Sequence, residues 1–139
     1  MDMNYQKCRK VFLIFVIVFL FGAISGCCQS LSSNFFYAIN MVETGGRRGA
    51  IRGTHGELGP MQIRVAYWRD SGVSGRWEDC AGYDYSCKVM TAYYRRFANE
   101  FVNRQDYQSL ARIHNGGPKG YKMPATRNYW ANVRKHLTN

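Results

Sequence analysis

An all-α or α-rich fold of about five helices, interrupted by one irregular glycine-rich lobe, is what this 139-residue chain predicts. Three observations carry that expectation: apolar residues at helical spacing, cap residues beside them, and glycines crowded between residues 45 and 59. Ser32 or Ser33 can cap a first helix bearing Phe36, Ile39, Val42 and Glu43, and Gly45-Gly46 ends it. The glycine run that follows reads as a loop with room for a small hairpin. Pro60 suits the first turn of a second helix, predicted to reach about Asp70 and to stop at Gly72. Trp77 and the Cys80–Cys87 segment read as a linker. The longest helix comes next, with Val89, Tyr93 and Phe97 four residues apart and Met90, Tyr94 and Phe101 widening the stripe. Asp106 caps a shorter helix carrying Leu110 and Ile113, which runs out at Gly116. Pro124 opens a last one with Tyr129, Val133 and Leu137 on one face.

The N-terminus is of another kind. Lys7, Arg9 and Lys10 precede an uncharged apolar run from Val11 to Ile24. The run is short for a membrane span, which needs about 20 residues, but it suits the core of an export signal. Residues 1–28 are therefore read as an export signal or anchor and 29–139 as one domain. Ile24-Ser25-Gly26-Cys27 resembles a bacterial lipobox, which would lipidate Cys27; ordinary cleavage between Gly26 and Gln29 is the alternative. Removing the signal takes away three basic residues and Asp2, so the formal net charge falls from +10 to +8. An exported basic protein without a basic run longer than two residues fits an anionic cell envelope and not nucleic acid. Any membrane contact is assigned to the N-terminal segment alone. Cys80 and Cys87 remain in the domain and are expected to pair in an oxidising compartment. Two cysteines do not assemble a zinc site, so no metal is expected.

Three short segments carry the chemistry: Glu43-Thr44-Gly45-Gly46, Gly59-Pro60-Met61-Gln62-Ile63 and Arg112-Ile113-His114-Asn115-Gly116-Gly117-Pro118. Core packing requires no such order. Their sequence, with Tyr67-Trp68-Arg69-Asp70 after the middle one, resembles the active-site framework of the lysozyme superfamily. The resemblance is closest to the invertebrate-type lysozyme (destabilase) family and covers roughly residues 36–134. It implies a lysozyme-like fold, a peptidoglycan glycan strand as partner and no cofactor.

Glu43 is the leading catalytic candidate. It lies at the C-terminal end of an apolar helix, where the helix dipole disfavours a carboxylate. Apolar neighbours such as Phe36, Ile39 and Trp68 would add to that effect, as a general acid requires. The family's second carboxylate, an Asp about ten residues before Gln-Ile, is missing; an ungapped match puts Arg52 or its neighbours there. Glu57 in the glycine loop is the candidate substitute, although such a loop is a poor scaffold for fixing a carboxylate. Gln62, His114 and Asn115 are expected to bind the sugar, with His114 and Asn115 similar to a Tyr-Asn pair in bacterial transglycosylases. Tyr121 is the candidate for stacking on a sugar ring.

Two activities and one inactive alternative follow from that resemblance. The first is a muramidase that cuts the β-1,4 bond between N-acetylmuramic acid and N-acetylglucosamine. The second is a lytic transglycosylase, in which one Glu acts as acid and then base and leaves a 1,6-anhydro end. The third is a silent lysozyme-like module that binds glycan or disrupts membranes by charge. The missing Asp favours the third and Glu43 opposes it.

Overall fold

A computed structural model describes residues 30–137; the signal and lipidation readings, Cys27 included, lie outside those residues. Helix α1 (Ser33–Thr44) begins where the Ser32 hydroxyl accepts the Asn34 amide and ends at Gly45, whose left-handed backbone lets its N–H reach the Asn40 and Met41 carbonyls. Two short antiparallel strands follow, β1 (Glu57–Leu58) and β2 (Ile63–Arg64), paired Glu57 with Arg64 and Leu58 with Ile63. Helix α2 (Val65–Ser71) ends at Gly72 in the left-handed conformation. A 3-10 turn over Trp77–Ala81 leads into α3 (Tyr83–Phe97), and α4 (Asn99–Asn103), α5 (Tyr107–Gly116) and α6 (Arg127–Arg134) complete the helices. The fold is α-rich, with six helices among the described residues and only that two-stranded sheet.

Four expectations need correction here. Pro60 does not open a helix. Gly59 at φ 80° and Gln62 at φ 49° hold 59–62 in a turn between the two strands, and α2 starts only at Val65. The Cys80–Cys87 segment is not a linker, because the 3-10 turn and the first turns of α3 occupy it, placing Tyr83 and Asp84 inside the helix. Phe101 belongs to α4, since the chain breaks helical geometry at Ala98 (φ −149°). Finally, Cys80 and Cys87 are separate thiols. Cys80 is wholly buried in the core, whereas Cys87 stands one turn along α3 from Tyr83, whose ring lies under Arg48. Burial, reinforced by the Asp79 charge, pushes the Cys80 thiol up to about 12, and burial with Asp84 does the same for Cys87.

The core lies where α1, α3 and α5 meet. Phe35, Ile39, Val89, Met90, Tyr94, Leu110 and Ile113 are fully buried, and the Phe35 ring stacks on Tyr107 at 4.8 Å. Each such side chain contributes about 1.5–3 kcal/mol relative to exposure. The rigid helical frame therefore holds Glu43 and His114 at the ends of two core helices. A buried amide helps tie the hairpin to it. The two hydrogens of Asn40 Nδ2 are shared among Thr44 Oγ1 at 2.7 Å, the Arg47 carbonyl at 3.0 Å and the Pro60 carbonyl at 3.1 Å.

Candidate active site

A cleft of about 730 Å³ opens between the helical frame and the hairpin. Glu43, His114 and Asn115 line it from α1 and α5; Glu57, Gln62 and Arg64 line it from the hairpin region, and Tyr67 and Asp70 from α2. The three motifs far apart in sequence thus share one cavity. Tyr121 does not take part. Its ring packs on Phe101 at 4.9 Å under the Lys122 ammonium, because the 3-10 turn over Gly120–Lys122 carries it away from the cleft. Tyr67 and Tyr93, stacked on each other at 3.8 Å, are the aromatic rings of the cleft wall.

Both acids are largely enclosed, with 19% of the Glu43 side chain and 14% of the Glu57 side chain exposed. The hydroxyl of Tyr129, on α6, donates to Glu43 Oε1 at 2.5 Å. His114 Nε2 lies 3.5 Å from the same oxygen, and that side chain is only 4% exposed. The tautomer of His114 follows from its other contact. Nε2 sits 3.1 Å from the Met61 carbonyl, which can only accept, so Nε2 carries the hydrogen. Nδ1 is buried with no partner among the described residues. The ring stands edge-on to Tyr67 at 5.5 Å, so its place in the cleft is set by packing as well.

Glu57 sits in opposite surroundings. Arg64 grips its Oε1 with Nη2 at 2.7 Å and Nε at 2.8 Å, and the His55 amide donates to Oε2 at 2.9 Å. Burial pushes this carboxyl up, but the Arg64 guanidinium and the backbone amides outweigh it, holding Glu57 below its ordinary 4.5. The glycine loop fixes this carboxylate after all. It does so through strand pairing and a cross-strand arginine that puts two N–H groups on one carboxylate. Gly53 makes the arrangement possible, because any side chain there would collide with Glu57 Oε2 and Gln62 Oε1. Gln62 turns its amide back on the loop, donating to the Gly59 carbonyl at 2.8 Å and the Ile51 carbonyl at 3.3 Å. That leaves Oε1 as its free acceptor for a ligand N–H or O–H.

Two residues that shape the cleft escape sequence reasoning. Tyr129 reads as a core position on α6, and nothing in the periodicity says that its hydroxyl ends at a carboxylate 86 positions away. Asn40 did leave a signal, an amide inside an apolar helix one turn before Thr44, where burial demands polar partners.

A Glu at the end of a core helix, facing a cleft closed by a hairpin and a His-Asn-Gly-Gly turn, defines a lysozyme-like enzyme. The destabilase family profile matches residues 32–136, and the chain belongs to that family, the invertebrate-type lysozymes. It is 33% identical over 130 residues to a lysozyme of Magallana gigas, covering 88% of this chain and 93% of that one. A lysozyme of Meretrix lusoria is 33% identical over 118 residues, covering 82% and 91%. The crystal structure of Tapes japonica lysozyme superposes with a TM-score of 0.63 at 30% identity, over 76% of this chain and 90% of that one. A complex of the Meretrix lusoria lysozyme with Aeromonas hydrophila PliI gives the same TM-score at 28% identity, over 76% and 89%.

Proposed function

We propose that this chain is an exported muramidase that hydrolyses the β-1,4 bond between N-acetylmuramic acid and N-acetylglucosamine, with Glu43 as general acid and Glu57 as the ionised second carboxylate. One observation carries the reading: two glutamates line a single cleft in different environments, one hydrogen-bonded by a phenol and one gripped by a guanidinium. The proton of Glu43 passes to the glycosidic oxygen as the bond to the anomeric carbon breaks, and the departing electron pair stays on that oxygen. Positive charge develops at the anomeric carbon, where the fixed negative charge of Glu57 stabilises it. Water then supplies the hydroxyl of the new reducing end and returns a proton to Glu43. Gln62 and Asn115 are placed to bind the N-acetyl and hydroxyl groups, and the charge of the chain suits an anionic wall.

The test is mass spectrometry of purified sacculi after digestion. Reducing muramic ends are expected; 1,6-anhydro ends would replace the paired mechanism with a lytic transglycosylase using Glu43 alone, and intact glycan would leave a binding module.

A further inference from the structure

We propose that Tyr129 is a positioning residue for the catalytic acid, fixing Glu43 through Oε1 so that the transferable proton resides on Oε2. The inference rests on Glu43 being the general acid. Among the described residues the Tyr129 hydroxyl donates to Oε1 at 2.5 Å, and His114 Nε2, whose hydrogen goes to the Met61 carbonyl, packs 3.5 Å from the same oxygen. In a carboxylic acid the oxygen that accepts hydrogen bonds is the carbonyl one, so the proton belongs on the other. This arrangement serves both states of the acid. Before transfer Oε1 accepts from Tyr129 as a carbonyl; after transfer the same hydroxyl faces a carboxylate and its bond strengthens as a charge-assisted one. The phenol does not have to move, so the stabilisation grows along the reaction.

The phenol is suited to stay a donor. Burial, and then the Glu43 charge beside it, hold the Tyr129 hydroxyl well above its ordinary 10.0, so it keeps its proton at any working pH. The other ionisable groups around Glu43 do not take over its part. From α3, Tyr94 feels the Glu43 charge and is itself held well above 10.0, chiefly by burial, with its hydroxyl turned towards Tyr67 and not towards Glu43. Tyr67 and Asp70 from α2, Tyr93 from α3, and His55, Glu57 and Arg64 from the hairpin side line the cleft. Among these, Glu57 is paired with Arg64 and not with Glu43.

A buried tyrosine that merely satisfied its hydroxyl would affect stability and nothing else, and the experiment separates the two. Tyr129→Phe removes a donor that favours the ionised form of Glu43, so the Glu43 carboxyl holds its proton to higher pH. The basic limb of the pH profile of kcat on peptidoglycan should therefore move upward, while kcat at the optimum falls roughly tenfold and KM stays within about twofold. Incorporation of 3-fluorotyrosine at 129, a stronger donor of nearly unchanged shape, should move the same limb downward, and it supplies the measurement if Tyr129→Phe does not fold. A basic limb that stays in place in the folded variants overturns the proposal. If Glu43→Gln retains wild-type turnover, the general-acid assignment fails instead, and that outcome is read independently of position 129.

Discussion

The two glutamates of the cleft are the same residue type on two kinds of scaffold, and the contrast is instructive. Glu43 ends a core helix and is approached by a phenol and an imidazole, both anchored in packed helices. Glu57 begins a two-residue strand in a glycine-rich lobe and is fixed by an arginine whose own side chain is 61% exposed. The helical wall brings a phenol hydroxyl to its carboxyl; the hairpin wall supplies a full opposing charge. The first environment suits a group that must hold and release a proton, and the second a group that must stay negative. Role is assigned by surroundings and not by residue type.

Replacing Glu43 should break the contrast most severely. Glu43→Gln keeps the shape and the acceptor for Tyr129 but has no proton to donate. General acid assistance is worth on the order of 10²–10⁴-fold, so steady-state turnover of sacculi should drop at least about a hundredfold with the melting temperature nearly unchanged.

Glu57→Gln tests the other wall. Loss of a preorganised charge at the anomeric centre is expected to cost on the order of a hundredfold, a smaller ceiling than for Glu43. Its pH signature is distinct. Glu57 must be ionised to act, and it is held below its ordinary 4.5, so activity should persist down to that lowered value and vanish only as pH falls through it. Arg64→Gln removes the main lowering contact and should move this acid limb upward in a pH–rate titration. An unmoved limb would separate Glu57 from the chemistry.

The smallest effect expected is at Gly53. The backbone there tolerates alanine, since Gly53 is not in the left-handed region, but the added methyl meets the Glu57 and Gln62 side-chain oxygens. Gly53→Ala should cut turnover roughly tenfold by displacing them, with little change in a thermal melt. Unchanged kcat would mean that the hairpin wall need not be placed so closely.

The same division governs what could be read from the sequence. Ser32, Gly45 and Asp106 announce the ends of α1 and α5 through local capping chemistry, and the structure keeps them. Glu43, His114 and Asn115 were legible because they stand at those ends. The hairpin side was read less well. Pro60 signals a helix start and a turn alike, and only the positive φ of Gln62, which no side-chain pattern encodes, decides for the turn. The grip of Arg64 on Glu57 depends on strand register across a two-residue sheet, too short for alternation to reveal. Tyr121 packs away from the cleft and Tyr129 reaches Glu43 for a related reason: ring burial is visible in periodicity, but the direction in which a hydroxyl points is not. The free thiols of Cys80 and Cys87 teach the same lesson, since seven positions of spacing say nothing about one side chain entering the core and the other staying on a helix flank.

The claim that these glutamates divide the chemistry can be tested most directly with an activated substrate. An aryl β-glycoside of N-acetylglucosamine oligomers with a dinitrophenolate leaving group departs without protonation, so it needs no general acid. Comparing kcat/KM for Glu43→Gln and Glu57→Gln on this substrate and on peptidoglycan separates the two roles. The account predicts that Glu43→Gln recovers to within about tenfold of wild type on the activated glycoside, the general-acid contribution of roughly 10²–10⁴ having become unnecessary, while Glu57→Gln stays impaired on both substrates. Equal loss for Glu43→Gln on both, or recovery of Glu57→Gln in its place, would contradict it.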